Sequence, residues 1–182
     1  MKRISLLTKI LGVVAVLAVM AVFLAPDATP AYADDPYLDS NVPSSGTTDK
    51  DIALMNEHEI TWLINQNQDM RDAYQLEKDF QKIIDDNNRA HGAAGSMPEA
   101  LGEYDTALTV AQEVHDQAAK VIGAQYGFNA KGVVTNRAAA LQTVTDARAT
   151  LRDTHYRLVV MIHALHRAYA EWRHQLLGVP FP

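Results

Sequence analysis

A chain of 182 residues with 48% hydrophobic content and no internal repeat is the size of a single globular domain. Its net charge of −6, with no block of Lys or Arg, excludes nucleic acid as a partner, since an acidic surface repels phosphate backbones, and gives little hold on anionic lipid. The lack of any cysteine excludes disulfide staples, lipoprotein anchoring, thiolate chemistry and covalent haem attachment, so the fold must rest on its core alone.

Residues 1–33 read as a secretory signal peptide. Lys2, Arg3 and Lys9 form a basic start, residues 10–24 are an uncharged apolar run of 15, and Ala31-Tyr32-Ala33 is a small-x-small cleavage site. Fifteen apolar residues fall short of the roughly 20 that span a bilayer, so cleavage after Ala33 is expected rather than retention as an anchor. Removing Lys2, Arg3, Lys9 and Asp27 takes the net charge from −6 to −8. Residues 34–47, with Pro36, Pro43 and Ser44-Ser45-Gly46, have the makeup of a solvated, disordered tether.

The domain proper is expected over residues 48–182. Thr48 with Asp51 predicts a helix start, and apolar residues at three-and-four spacing continue to about residue 89 without glycine or proline. Glu59, Gln66 and Glu77 interrupt this stripe. Glycines 92 and 95 mark a loop, and Ser96-Met97-Pro98-Glu99 reads as a capping box opening a second helix over about 97–126. Leu101, Tyr104, Leu108, Ala111, His115, Ala118 and Ile122 form its heptad seam. After a second short loop, Asn129 or Thr135 is expected to cap a third helix over about 133–177. Leu141, Val144, Leu151, Leu158, Ile162, Leu165, Tyr169, Trp172 and Leu176 make its stripe, and Gly178 with Pro180 ends it. Short loops between long helices mean antiparallel neighbours. The expected fold is therefore all-α, an up-down-up bundle of three long helices with a left-handed twist.

The residues that could carry chemistry mostly fail on spacing. His58-Glu59 lacks the second histidine of a zinc-protease motif, because Trp62 stands in its place. Glu171 and His174 have di-iron spacing, but there is no second such pair. His155, His163, His166 and His174 spread around the third helix and cannot converge on one ion. His163 and His166 alone would make only a two-ligand surface site. A seam counted through Leu141 puts Arg148 and His155 in the core. With Glu77 and His115 they would form a polar layer at one level that fixes register.

Residues 158–162 are apolar all round the helix, and with a shorter second helix the upper third helix is expected to overhang its neighbours. Val159, Val160, Met161, Leu165, Tyr169 and Trp172 thus form a candidate interaction face. The sequence points to an exported, periplasmic, cell-surface or secreted, non-enzymatic bundle that self-associates or binds another extracytoplasmic protein through helix three. It calls for no cofactor, no catalytic group, no metal, no nucleic acid and no membrane span after cleavage. The alternative is a carrier or sensor holding a small ligand, haem or metal near His115 and His155.

Overall fold

The computed structural model describes residues 46–91 and 95–177. The expected leader, most of the expected tether and the expected C-terminal stop at Gly178 and Pro180 lie outside the described residues. Three helices pack against one another: α1 Asp49–His91, α2 Met97–Ala124 and α3 Arg137–Leu177. This is the all-α three-helix bundle that the periodicity predicts, with α2 and α3 sharing the most extensive contact. No helix among the described residues is long and apolar enough to cross a membrane.

Helix α1 begins at a reciprocal cap. The Asp51 N–H donates to Thr48 Oγ1 at 3.2 Å, while the Thr48 N–H and hydroxyl both donate to Asp51 Oδ2 at 2.7 Å. These bonds from Thr48 hold the Asp51 carboxyl below its ordinary pKa. On the inner face of α1, Ile52, Asn56, Glu59, Gln66, Met70, Ala73, Phe80, Ile84 and Asn87 are buried in alternating steps of three, four and seven, the rhythm of a heptad seam. The capping box expected at Ser96 does not form. Ser96 has φ −80° and ψ −3°, a helical conformation, whereas a capping serine needs extended backbone to aim its oxygen at the first-turn N–H groups.

Outside the core, local bonds replace staples. Gln68–Asp72, Gln75–Asp79, Gln81–Asp85, Gln112–Asp116 and Gln142–Asp146 each join an amide to a carboxylate one turn on, at 2.7–3.0 Å. Such pairs contribute about 0.3 kcal/mol each to a helix.

The α2–α3 connection is longer and more ordered than a short loop, and α3 starts four residues later than position 133. Phe128 and Val134 form an antiparallel bridge, and Asn129 Oδ1 accepts from the N–H groups of Lys131 and Val133 to shape the turn. The cap of α3 is Asn136, not Asn129 or Thr135. Its side-chain oxygen accepts from the Ala139 N–H at 3.1 Å. Phe128 is buried against Ile52, Ala140 and Val144, so the loop closes the end of the bundle that α2 is too short to reach. Arg137 adds a second tie there, pairing with Asp49 at 2.6 Å and donating to the Thr47 carbonyl.

Helix α3 keeps half of the expected seam, with Val144, Leu151, Leu158, Leu165 and Trp172 buried, while the positions counted through Leu141 give way to those one residue earlier. Its buried residues are Ala140, Thr143, Val144, Ala147, Leu151, Thr154, Leu158, Met161, Leu165 and Trp172. Small neutral Ala147 and Thr154 take the places that the count through Leu141 gives to Arg148 and His155, which move to the half-buried flank. The physical reason is desolvation: an alanine and a threonine whose hydroxyl bonds the Thr150 carbonyl cost far less to bury than a guanidinium and an imidazole. Leu141 and Ile162 are only partly buried and Leu176 is exposed.

Candidate functional site

Two features stand out from the helical frame: a polar seam along the inside of α1 and the outer face of α3. The seam arises because α1 places Glu59 and Gln66 seven residues apart on the side that faces both neighbours.

Glu59 has no solvent exposure, and Arg148 of α3 reaches it with a side chain 14% exposed. Nε and one terminal nitrogen of the guanidinium both donate to Glu59 Oε1 at 2.7 Å. The other carboxylate oxygen, Oε2, is buried without a hydrogen-bond partner. Both charges are largely removed from water, so the pair specifies position more than it stabilises.

Two turns along, Gln66 crosses the core and donates from Nε2 to the Leu151 carbonyl at 3.0 Å, which fixes its amide. Its Oε1 then faces His115 Nδ1 at 3.0 Å, and Asn67 Oδ1 faces His115 Nε2 at 3.0 Å. Burial holds the His115 pKa below its ordinary value, opposed by the nearby Asp116 carboxylate, so the ring is neutral at neutral pH. A neutral imidazole donates from one nitrogen and needs a donor at the other. Gln66 is locked, whereas exposed Asn67 can exchange its bond to the Leu63 carbonyl and turn its amide nitrogen to the ring. His115 is thus engaged at both nitrogens.

The proposed single layer of Glu77, His115, Arg148 and His155 separates into levels. Arg148 meets Glu59, and His115 meets Gln66 and Asn67. His155 lies near enough to Asp69 to draw its carboxyl pKa down, against the larger upward push of burial. Glu77 is half-buried near Tyr74 and Tyr104. The Tyr104 hydroxyl donates to the Ala73 carbonyl at 2.9 Å, and burial with the Glu77 charge raises its pKa. The levels separate because they depend on where each helix starts, and the later start of α3, by four residues, is worth about 6 Å. Gln66 and Glu59 are partners outside the proposed layer. Their signal was the interruption of the α1 stripe at heptad spacing. No group of three or more His, Asp or Glu among the described residues is placed to hold a metal ion.

The expected interaction face also divides. Met161, Leu165 and Trp172 are buried inside the bundle, and Val159 and Tyr169 are half-buried. The upper part of α3 does not overhang, because α1 accompanies it. Phe80 meets the Tyr169 ring edge-on at 5.5 Å between centroids, Tyr169 lies 5.7 Å from Trp172, and a Cβ on Gly95 would stand 3.4 Å from the Trp172 ring. What remains outward is Val160, 48% exposed, and one turn before it Tyr156, 68% exposed, which the seam count did not single out. His163, Ala164 and Arg167 continue this exposed face.

His115 supplies a pH dependence whose sign follows from burial. Its folded pKa lies below the unfolded value near 6.5, so the unfolded chain binds the proton more readily. The stabilisation is complete above about pH 6.5 and is lost as pH falls toward the folded pKa. Burial, aided by His163, lowers the His166 pKa and adds to the same trend. The urea midpoint should therefore fall from pH 7.5 to pH 5.5, and the fall should be smaller in His115→Gln. Equal falls in both proteins would remove His115 from the account.

Comparison with protein-family models, with curated proteins and with solved structures finds no match to this chain.

Proposed function

We propose that this is an exported, non-enzymatic helical-bundle module that acts through contact, with the outer face of α3 as its docking side. The leader over residues 1–33 supports export, with cleavage after Ala33. The observation that carries the docking role is the pairing of Tyr156 and Val160 one turn apart on the side of α3 turned away from the core. Large apolar and aromatic side chains in water on a rigid helix are the kind of anchor that binding interfaces use, tyrosine above all. Three long helices packed against one another hold such a face in place. The carrier reading is less well supported, since His115 would have to give up Gln66 or Asn67 to ligate anything.

The test is sedimentation velocity on the processed chain. Association at micromolar concentration is expected, lost in Val160→Glu and weakened in Tyr156→Ala with melting temperatures unchanged, because both side chains already face solvent. A sedimentation profile that neither substitution alters would remove the outer face of α3 from the function. Amino-terminal sequencing of exported protein should begin at Asp34, and any other start would displace the cleavage site.

A further inference from the structure

Charge is divided unequally among the helices. Over its 28 residues α2 holds Glu99, Glu103, Asp105, Glu113 and Asp116 against Lys120 alone. Helix α3 holds six arginines and four histidines against Asp146, Asp153 and Glu171, and no acid lies between the last two. Arg137 and Arg148 are paired within the chain toward the start of α3, on Asp49 at the surface and on Glu59 in the core. The acidic partner of Arg157 is Asp153 of its own helix, and Arg167 is exposed. On α2, Asp116 accepts from the neutral Gln112 amide.

The two outer faces match in register. On α3, half-buried Arg157 and exposed Val160, Ala164 and Arg167 follow steps of three, four and three residues. On α2, Glu103, Thr106, Val110 and Glu113 are all exposed and follow three, four and three, with Val110 36% exposed. Laid antiparallel, these stripes put Arg157 opposite Glu113, Val160 opposite Val110, small Ala164 opposite Thr106, and Arg167 opposite Glu103. The charged ends of each stripe are ten residues apart, about 15 Å, so both ion pairs and the apolar contact form together.

The geometry points to a second copy of this chain as the occupant of the α3 face, seated through the outer face of its own α2 in antiparallel register with Val160 against Val110. The inference rests on the α3 face being the docking side and names what docks there. The two faces lie on different helices of each copy, so one contact pairs unlike faces. Each bound pair leaves one α3 face and one α2 face open, and association continues beyond a pair unless the ring closes. The stripe ends where Glu171 would meet Glu99, a like-charge pairing that limits the contact to the segment between Arg157 and Arg167.

Because the chain has no cysteine, the register can be read by cross-linking. Processed Val110→Cys and Val160→Cys proteins are mixed and oxidised at about 0.01 M and about 1 M salt, where screening lengths are about 30 Å and 3 Å. The expected result is a mixed disulfide dimer formed at low salt, at least about tenfold faster than in a mixture of Ile64→Cys with Val160→Cys, and suppressed at high salt. Such a bond requires Cα atoms within about 7 Å. Adding Arg157→Glu and Arg167→Glu to the Val160→Cys chain should abolish it, and adding Glu103→Lys and Glu113→Lys to its partner should restore it. Homodimers of Val160→Cys outpacing the mixed product would overturn the choice of α2 while leaving α3 as the docking side. No cross-link above the Ile64→Cys level, in a chain whose sedimentation Val160→Glu also leaves unchanged, would overturn both.

Discussion

Replacing Arg148 by methionine is expected to destabilise the bundle by about 3–5 kcal/mol, the range for removing one partner of a buried ion pair. Glu59 has no exposure, and its Oε2 already lacks a partner, so losing the guanidinium strips Oε1 of both its bonds and leaves a carboxylate in the interior. The reverse substitution is gentler. In Glu59→Gln the stranded group is Arg148, 14% exposed on a long apolar stem, which can swing its head toward water. Replacing both, as Glu59→Leu with Arg148→Met, removes the two desolvation costs together and should be neutral or stabilising by about 1–4 kcal/mol. Urea denaturation of the four proteins measures the cycle. If Arg148→Met costs less than Glu59→Gln, or if the double variant is the least stable, the pair is a net source of stability and its role in specifying position must be given up.

That role bears on how much of the molecule could be read beforehand. Helix existence and order were legible because heptad spacing in α1 and α2 is strong and Thr48 with Asp51 forms the cap its spacing suggests. The rotation of α3 was not legible, because a periodicity weighted toward large apolar residues passes through Leu141 and Ile162 and overlooks Ala140, Ala147 and Thr154. Those small residues carry little hydrophobic signal but decide which face can enter between two helices. The same rotation turns Met161 inward and leaves Val160 outward, so the expected interaction face contracts to a stripe that includes Tyr156. Glu59 and Gln66 were visible as interruptions of α1, yet their partners on α2 and α3 depend on relative helix height. Height in turn depends on loop geometry, which sequence spacing leaves loose by a turn or more.

Gly127 shows how far one loop position can govern that height. It has φ +84°, a conformation that side chains oppose by about 1–2 kcal/mol, and it lies directly against the first turn of α3. A Cβ at Gly127 would stand 2.5 Å from the Asn136 carbonyl oxygen and 2.7 Å from the Ala140 Cα, and closer still to the Ala140 nitrogen. These are backbone atoms, which cannot turn aside as a side chain would. Gly127 also accepts from both Thr135 and Asn136 N–H groups, at 2.8 and 3.2 Å, so moving it loosens the residue that caps α3. Gly127→Ala is therefore expected to cost about 3 kcal/mol or more, a lowering of melting temperature of about 10 °C for a domain of this size. Gly102→Ala is the internal control. It lies within α2 with nothing within 4 Å of a Cβ, and alanine there should stabilise by about 0.5–1 kcal/mol through helix propensity. Opposite signs for the two glycines would show that Gly127 is required by its left-handed backbone and its close approach to α3, since the lost freedom of the unfolded chain favours alanine equally in both. A Gly127→Ala protein as stable as the parent would mean that the α2–α3 connection can retreat from α3. In that case the loop would not set the height at which Arg148 meets Glu59.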